Sequence, residues 1–376
     1  TRDDFFPRAS IEPDKIVGAR RESPLVIGIS PKGNYIASDA LSFHGITSKV
    51  VLVEDGECVV VTREKISIYD AAGTEIKRAP IKTDWYHGEL TKGLYDYFML
   101  KEIHEQPAAI KRALCQEKAA VMEIAAEIRQ AKHVVFTACG TSRHAALIGR
   151  YAFSKVAGIF SEVVMASEFG YFIESVDAGT LVLAISQSGE TADVLDGVRR
   201  AKEKGARIVS LVNVANSSLV RLSDRVLYMK SGPEIGVAAT KTFVAQLTLF
   251  YGMAFALAGQ YEEGMAQLEA VAGKIDDNLK EDGDGTTEIA LKLKSQHDFY
   301  FIARGINFAV AAEGALKLKE VAYVHAEGMS AGELKHGTLA LIERGTPVVA
   351  ICPHDYTFHE IMTPIKFHRQ RHARAS

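Results

Sequence analysis

A repeated pattern in the last two thirds of the chain restricts its fold more than any other property of the sequence. Apolar segments at 133–137 and 181–185 have counterparts at 299–303 and 347–351, and a Gly-Thr pair precedes the second segment of each set. The two Gly-Thr pairs begin at 179 and 345, which places the copies 166 residues apart. An internal repeat of this kind indicates two tandem domains of the same fold.

Each copy alternates short apolar segments with helical patterns. Further strand candidates in the first copy lie at 207–212 and, more weakly, at 225–229. Residues 99–130 are helical in pattern, with Pro107 opening a second helix. Strands separated by helices form open, largely parallel sheets. The expected fold class is therefore α/β, with tandem domains built on largely parallel sheets.

The first 80 residues predict a different, antiparallel β structure. Two turn signals separate the apolar runs, Asp55-Gly56 and residues 70–73, and such turns need positive φ. We expect Asp55-Gly56 to join its flanking strands in a hairpin. A few hairpins bury little surface, so this piece is expected to belong to a larger sheet. The strand candidates are 24–29, 35–38, 50–53, 58–61, 66–69 and 74–77.

The change of pattern near residues 84–93 marks a linker. The first repeat runs to about residue 257, so the second is expected to continue to about residue 423. Because the sequence ends at Ser376, we expect the second domain to be cut short. The expected organisation is an antiparallel remnant at 1–80, a linker at 81–94, a first domain at 95–285 and a truncated second domain at 286–376.

Composition and charge narrow the classes of partner. The chain has 376 residues and a net charge of -3, which argues against nucleic acid or a membrane surface as the main partner. Its four cysteines are scattered with no CxxC pair, so neither a disulfide framework nor a zinc site is expected. This usage is typical of a reducing cytoplasm. An anionic substrate would have to be held by local chemistry.

Two turns between a strand and a helix carry small hydroxyl side chains. They are Cys-Gly-Thr-Ser at 139–142 and Ser-Gln-Ser-Gly-Glu-Thr at 186–191. Ligands of parallel sheets bind at the carboxyl ends of strands, where helix N-termini present free N–H groups and a positive dipole. Either turn alone suits a helix N-cap as well as a ligand. Two of them in one domain favour a phosphate monoester, which hydroxyl and backbone donors can hold.

Two neighbouring features allow a functional and a purely structural interpretation. Cys139 could be a nucleophile, but no His is paired with it in sequence, which favours a small buried residue at a strand end. Residues 234–241, Glu-Ile-Gly-Val-Ala-Ala-Thr-Lys, open an apolar helix and by themselves indicate an ordinary helix start.

The second copy contains titratable residues at helical spacing. Glu313, Lys317 and Glu320 share one helix face. A carboxylate beside an ammonium can act as a positioned base, but the helix pattern alone favours a solvated salt-bridge stripe. His336 precedes a glycine in a predicted loop. A histidine in this position can act as an acid or base, but most such histidines are ordinary surface residues.

Five motifs together resemble one enzyme family. CGTS, SQSGET, EIGVAATK, EGALKLKE and AGELKHG have the order and spacing found in the isomerase half of glutamine:fructose-6-phosphate aminotransferase, also called glucosamine-6-phosphate synthase. The resemblance covers residues 11–354 and implies two tandem sugar-isomerase (SIS) domains with flavodoxin-like parallel sheets. It also implies that the antiparallel segment at 1–80 is the remnant of an N-terminal-nucleophile glutaminase domain. It implies formation of glucosamine 6-phosphate from fructose 6-phosphate and glutamine, for UDP-N-acetylglucosamine synthesis, with no cofactor and no metal.

The resemblance also implies roles for single residues. Lys317 would contact the sugar, Glu320 would move the proton between C1 and C2, and His336, from the neighbouring subunit in this family, would open the ring. A site shared in this way implies a homodimer. Val237 would line the site. The sugar phosphate would be held by Thr141, Ser142, Ser186, Gln187, Ser188 and Thr191.

The sequence departs from the family pattern in three places. Ala239 stands where the family often has Ser. The N-terminal nucleophilic Cys of the glutaminase domain is absent, and Thr1 is a weak candidate to replace it. The C-terminal lysine that forms a Schiff base is absent, and the basic residues 368–376 do not resemble the family. We therefore expect a fragment that neither hydrolyses glutamine nor forms glucosamine 6-phosphate.

Two other functions stay open at this point. A non-catalytic SIS protein would bind a sugar phosphate without any role for Glu320, although no basic DNA-binding segment accompanies the motifs. A simple phosphosugar isomerase or deaminase is the second alternative, and the antiparallel segment at 1–80 argues against it.

Overall fold

The structure is a computed structural model that describes residues 12–21, 24–38, 40–43, 45–82, 91–281 and 285–362. The chain divides into two compact units, Thr1–Gly93 and Leu94–Ser376. Thr1, most of the expected linker and the basic residues 368–376 lie outside the described residues. The remaining domain boundaries stay predictions.

The N-terminal unit consists of antiparallel strands, as expected. They form two four-stranded sheets with orders β1-β5-β6-β7 and β3-β2-β4-β8. The last strand, β8, extends this unit two residues beyond the boundary expected at residue 80. The strands are β1 Ile16–Ala19, β2 Leu25–Ser30, β3 Gly33–Ala37, β4 Lys49–Val53, β5 Cys58–Val61, β6 Ile66–Tyr69, β7 Glu75–Ile76 and β8 Ile81–Lys82.

One predicted hairpin is wrong. Gly56 adopts φ +80° as the turn signal requires, but β4 pairs with β2 and β8, whereas β5 pairs with β1 and β6. The turn passes from one sheet to the other, because Val51 and Val59 are both buried in the core between the sheets. The second predicted turn does form a hairpin, which joins β6 to β7.

The C-terminal unit contains all of the described α-helices. They alternate with strands, as the sequence predicts. The strands are β9 His133–Ala138, β10 Glu162–Met165, β11 Thr180–Ser186, β12 Arg207–Val212, β13 Arg225–Tyr228, β14 Asp298–Ala303, β15 His325–Ser330 and β16 Val348–Ala350. The helices are α1 Phe98–His104, α2 Gln106–Leu114, α3 Lys118–Gln130, α4 Gly140–Ala157, α5 Ala166–Phe169, α6 Ala192–Glu203, α7 Ser218–Leu222, α8 Lys241–Ala258, α9 Tyr261–Lys280, α10 Thr286–Leu293 and α11 Ile306–Ala322.

Both sheets of this unit are parallel and repeat the same arrangement. The first has the order β10-β9-β11-β12-β13, and the second has the order β15-β14-β16. The strand before α11 lies between its two neighbours just as the strand before α4 does. The tandem α/β prediction is therefore confirmed. The sequence missed β10 and β15, which lie at sheet edges and are only partly buried.

The core of the first domain forms around α8. Phe250 contacts the rings of Phe136 and Phe153, and a methyl group on Gly149 of α4 would lie 2.4 Å from the Phe250 ring. Among the described helices, α8 is the one long and apolar enough to cross a membrane by length and composition. In this structure 67% of it is buried, as expected for a core helix.

Candidate functional site

The two hydroxyl-bearing turns lie at the same edge of the first parallel sheet. β9 and β11 are neighbours and run parallel, with Thr137 opposite Ala184 near their carboxyl ends. One turn connects β9 to α4, and the other connects β11 to α6. The edge therefore presents two helix N-termini to the same region, as the sequence predicts for an anion site.

Internal hydrogen bonds shape the turn at 186–191. The buried Ser186 hydroxyl accepts the Gly189 N–H at 2.9 Å and lies 2.9 Å from the Thr191 hydroxyl. The Ser188 hydroxyl accepts the Glu190 N–H at 3.2 Å. These hydrogen bonds all lie within residues 186–191, so the conformation of the turn is fixed by its own side chains.

Glycine is required at position 189. Its φ is +68°, which side-chain-bearing residues rarely adopt. A methyl group there would also lie 2.0 Å from the Ser217 hydroxyl oxygen. The turn therefore depends both on the backbone freedom of Gly189 and on the close approach of the chain at Ser217.

The N-cap interpretation of these turns does not fit the structure. Cys139 and Thr191 occupy the N-cap positions of α4 and α6, and neither side chain makes a capping hydrogen bond. The first-turn N–H groups of both helices are thus left without a side-chain cap. Burial, with a smaller effect of Asp193, raises the pKa of the Cys139 thiol, which disfavours a nucleophilic thiolate.

A buried carboxylate connects the two repeats. Glu313 of α11 accepts a hydrogen bond from the Thr141 hydroxyl of α4 at 2.9 Å. Nδ1 of His144 lies 2.7 Å from its other oxygen, and because a carboxylate only accepts, Nδ1 carries the hydrogen. The Glu313 side chain is 8% exposed. Each repeat therefore contributes part of one polar cluster.

Lys317 extends this cluster along α11. Its ammonium donates to the Thr141 hydroxyl at 3.0 Å and lies 3.4 Å from Glu313. It also pairs with Glu320, whose enclosed Oε2 faces this ammonium. The Lys317 side chain is 19% exposed. The interpretation as a solvated stripe is therefore wrong for Glu313 and Lys317, because both bond to Thr141 of α4, whereas the Glu320 side chain is 33% exposed.

The other predicted site residues occupy different surroundings. The Ser142 hydroxyl accepts a hydrogen bond from the side-chain amide of Gln246 in α8 at 3.1 Å. The backbone carbonyl of Gln187 accepts the backbone N–H of Asn213 at 3.0 Å. Val237 is 97% exposed on the loop before α8. His336 is exposed beyond β15, and within the described part of the chain no hydrogen bond or ion pair reaches its imidazole.

Two members of the cluster were not predicted as site residues. His144 follows Thr141 by three residues, so both lie on one face of α4, and this spacing was the available signal. Glu313 was recognised only as part of a charged stripe. Its burial depends on a helix from the other repeat, which no local pattern reveals. In the described ranges no three His, Cys, Asp or Glu residues could hold a metal ion.

Comparison with known proteins identifies the family. The model of the SIS domain matches residues 127–257 and 292–375, which together make up more than half of the chain. The chain belongs to the SIS-domain family. The two matched segments correspond to the two repeats, which confirms the tandem SIS interpretation.

Curated relatives match nearly the whole chain. The chain is 44% identical over 357 residues to a protein from Methanothermobacter thermautotrophicus named glutamine--fructose-6-phosphate aminotransferase [isomerizing], covering 94% of this chain and 60% of that protein. The protein of the same name from Thermococcus kodakarensis is 43% identical, with 96% and 62% covered. The chain thus spans about 60% of the length of these relatives.

A solved structure has a fold similar to most of this chain. The C-terminal domain of glucosamine-fructose-6-phosphate aminotransferase from Francisella tularensis superposes with a TM-score of 0.67 at 35% identity. The match covers 75% of this chain and 83% of that one. The resemblance found in the five motifs therefore extends to the folded SIS unit.

Proposed function

We propose that this chain is the sugar-phosphate-binding part of a glutamine–fructose-6-phosphate aminotransferase. The whole enzyme would form glucosamine 6-phosphate from fructose 6-phosphate and glutamine, for UDP-N-acetylglucosamine synthesis. The observation that carries the proposal is the junction of Thr141 with Lys317 and Glu313. It brings a base-bearing helix of one repeat to the phosphate turn of the other.

The proposed roles follow from this arrangement. Uncapped N–H groups at α4 and α6, with the nearby hydroxyls, would bind the phosphate. Lys317 would contact the sugar and orient Glu320, and Glu320 would carry the proton between C1 and C2. Val237 would line the site. The phosphate ligands would be Thr141, Ser142, Ser186, Gln187, Ser188 and Thr191.

His336 has a proposed role that requires a second copy. Its imidazole is exposed and outside the polar cluster, so it is available to a neighbouring subunit. We propose a homodimer in which this residue opens the sugar ring of the partner's ligand. Such an enzyme would act in the cytoplasm.

Binding of fructose 6-phosphate to this chain, measured by calorimetry, tests the phosphate site. We expect binding of fructose 6-phosphate but not of fructose. Ser188→Ala should weaken binding by about tenfold or more, since a hydrogen bond to a charged group is lost. The matched control is Ser175→Ala, whose exposed hydroxyl only donates to the Phe172 carbonyl. Equal affinities of the two variants would refute the phosphate assignment.

Proton exchange separates the enzyme from a non-catalytic binder. In D2O, NMR should show exchange of a C1 proton of fructose 6-phosphate with solvent by the unaltered chain, because the base that removes this proton can exchange it with D2O before returning it. Glu320→Gln should abolish this exchange while leaving the ligand bound. Binding without any exchange in the unaltered chain would instead favour the non-catalytic SIS protein.

A further inference from the structure

The loop at 234–240 follows β13, the last strand in the order of the first parallel sheet. It lies between β13 and α8, at the same carboxyl edge as the two phosphate turns. The sequence of this segment indicated no more than an ordinary helix start. In the structure its tip is bare, with Val237 97% exposed, although Ala238 beside it is only 3% exposed. Something other than packing of Val237 must therefore fix its shape.

A buried carboxylate from α1 holds the first half of this loop. Glu102 is 2% exposed, and its Oε1 accepts the N–H of Ile235 at 2.5 Å and of Gly236 at 3.1 Å. Its Oε2 lies 3.1 Å from the same Gly236 N–H. A fully buried carboxylate is costly unless it is hydrogen-bonded, so these backbone donors and Glu102 depend on each other.

The contact with Glu102 leaves no room for a side chain at position 236. A methyl group on Gly236 would lie 2.4 Å from Oε2 of Glu102 and 3.4 Å from Cα of Met99. The loop backbone thus lies directly against α1. Gly236 is needed for this approach, even though its φ is not positive.

An ionic network keeps α1 in place beneath the loop. Lys241, the first residue of α8, is 1% exposed and donates to Glu105 at 2.6 Å. Lys101 lies 3.0 Å from the same carboxyl group. Burial alone would raise the pKa of Glu105, but these two ammonium groups outweigh it and leave the pKa below its usual value. The carboxylate of Glu102 therefore sits on a helix that is itself tied to α8.

A second carboxylate holds the other half of the loop. Glu234 accepts the N–H of Thr240 at 2.7 Å and of Thr242 at 3.3 Å, and it also contacts the Thr242 hydroxyl. It thereby caps the start of α8 from within the loop. The residues between, 237–239, form a short arch whose two ends are each fixed to a carboxylate.

We propose that Glu102 is a positioning residue that holds the 234–240 loop in the shape needed to close the sugar-phosphate site. This inference rests on the proposed function, because the loop carries Val237. Glu102 does not touch the ligand. It acts through the backbone of Ile235 and Gly236, so its loss should loosen the arch and leave the phosphate turns unchanged.

Two variants test this role by different chemistry. Glu102→Gln keeps the shape but places an NH2 group near the Gly236 N–H, where donor would face donor. Gly236→Ala keeps the carboxylate but prevents the approach. In each, amide hydrogen exchange of a peptide covering 234–240 should accelerate by about 5- to 30-fold, and fructose 6-phosphate affinity should fall by a similar factor. Exchange in the 186–191 turn should not change.

The matched control is Gly273→Ala in α9, where a methyl group would meet nothing within 4 Å. It should leave both loop exchange and affinity unchanged. Unaltered amide exchange of 234–240 in Glu102→Gln would refute the claim that Glu102 fixes the loop. Faster exchange with unaltered fructose 6-phosphate affinity would refute the role of the loop at the site. If the unaltered chain fails to bind fructose 6-phosphate, the proposed function and the sugar-site role both fall, while the exchange comparison still decides whether Glu102 fixes the loop.

Discussion

Replacing Glu313 with alanine should destabilise the C-terminal unit far more than an ordinary helical ion pair would suggest. The substitution removes the acceptor of two hydrogen bonds, from Thr141 at 2.9 Å and from His144 at 2.7 Å. Each bond to a charged group contributes about 1.5–3 kcal/mol. Lys317 keeps Glu320 as a partner, so the ion pair at 3.4 Å adds little. We expect a loss of about 3–5 kcal/mol.

Glu313→Gln should cost less, about 1–2 kcal/mol, because the amide retains one acceptor for the Thr141 hydroxyl. The control is Glu288→Ala. Glu288 pairs with Lys292 at the same i,i+4 spacing as Glu313 with Lys317, but its side chain is 71% exposed. An exposed pair of this kind contributes roughly 0.3–0.5 kcal/mol.

Urea unfolding followed by circular dichroism measures these free energies, and thermal unfolding measures the corresponding Tm. For a unit of this size, Glu313→Ala should lower Tm by about 6–10 °C, and Glu288→Ala by about 1 °C. The essential result is that the loss of stability is largest for Glu313→Ala, smaller for Glu313→Gln and smallest for Glu288→Ala. If Glu313→Ala unfolded at the same urea concentration as Glu288→Ala, the carboxylate would not be organising the α4–α11 junction, and our account of the site would be wrong.

Three further substitutions probe other parts of the molecule. Gly189→Ala should abolish calorimetric binding of fructose 6-phosphate, since φ +68° costs an alanine about 1–2 kcal/mol before the clash is counted. Gly328→Ala should lower the free energy of unfolding by about 3 kcal/mol or more, because the new methyl group would lie 2.4 Å from the Cα of Ala312. Glu57→Gln should lose about 1–2 kcal/mol at pH 7. Burial alone would raise the pKa of Glu57, but the guanidinium of Arg78 and the backbone N–H of Glu54, with a smaller effect of Arg20, together lower that pKa. This stabilisation is therefore present above the unfolded pKa and disappears as pH falls through the folded one. Urea unfolding at pH 7 and pH 3 should therefore show the gap between variant and unaltered chain closing in acid, whereas a gap that is independent of pH would contradict this reasoning.

The fold was largely predictable because its signals are local or periodic. Strand and helix alternation fixed the parallel sheets, and self-similarity fixed their duplication. The error at Asp55-Gly56 has a physical origin. The turn chemistry was right, but whether a turn joins paired strands or passes between sheets depends on which faces become buried, and Val51 and Val59 both turn inward. The edge strands β10 and β15 were missed because exposed edges weaken the apolar pattern.

The site was predictable in its turns but not in its centre. Hydroxyls and glycine at a strand end signal an anion site from a few adjacent residues. The burial of Glu313 arises from residues 172 and 169 positions away in sequence, Thr141 and His144. No pattern on α11 itself distinguishes a face that meets water from one that meets another helix.

The duplication also explains why the two halves of this molecule can no longer replace each other. α4 opens with Gly140-Thr141-Ser142, whereas the corresponding start of α11 reads Ile306-Asn307-Phe308. There Asn307 donates to Asp355 and Thr357 of its own domain, whereas Thr141 bonds to Glu313 and Lys317 of the other repeat. In the proposed enzyme the first repeat would bind the phosphate and the second would supply the residues that move the proton. A site divided in this way would make the two repeated domains depend on each other for activity.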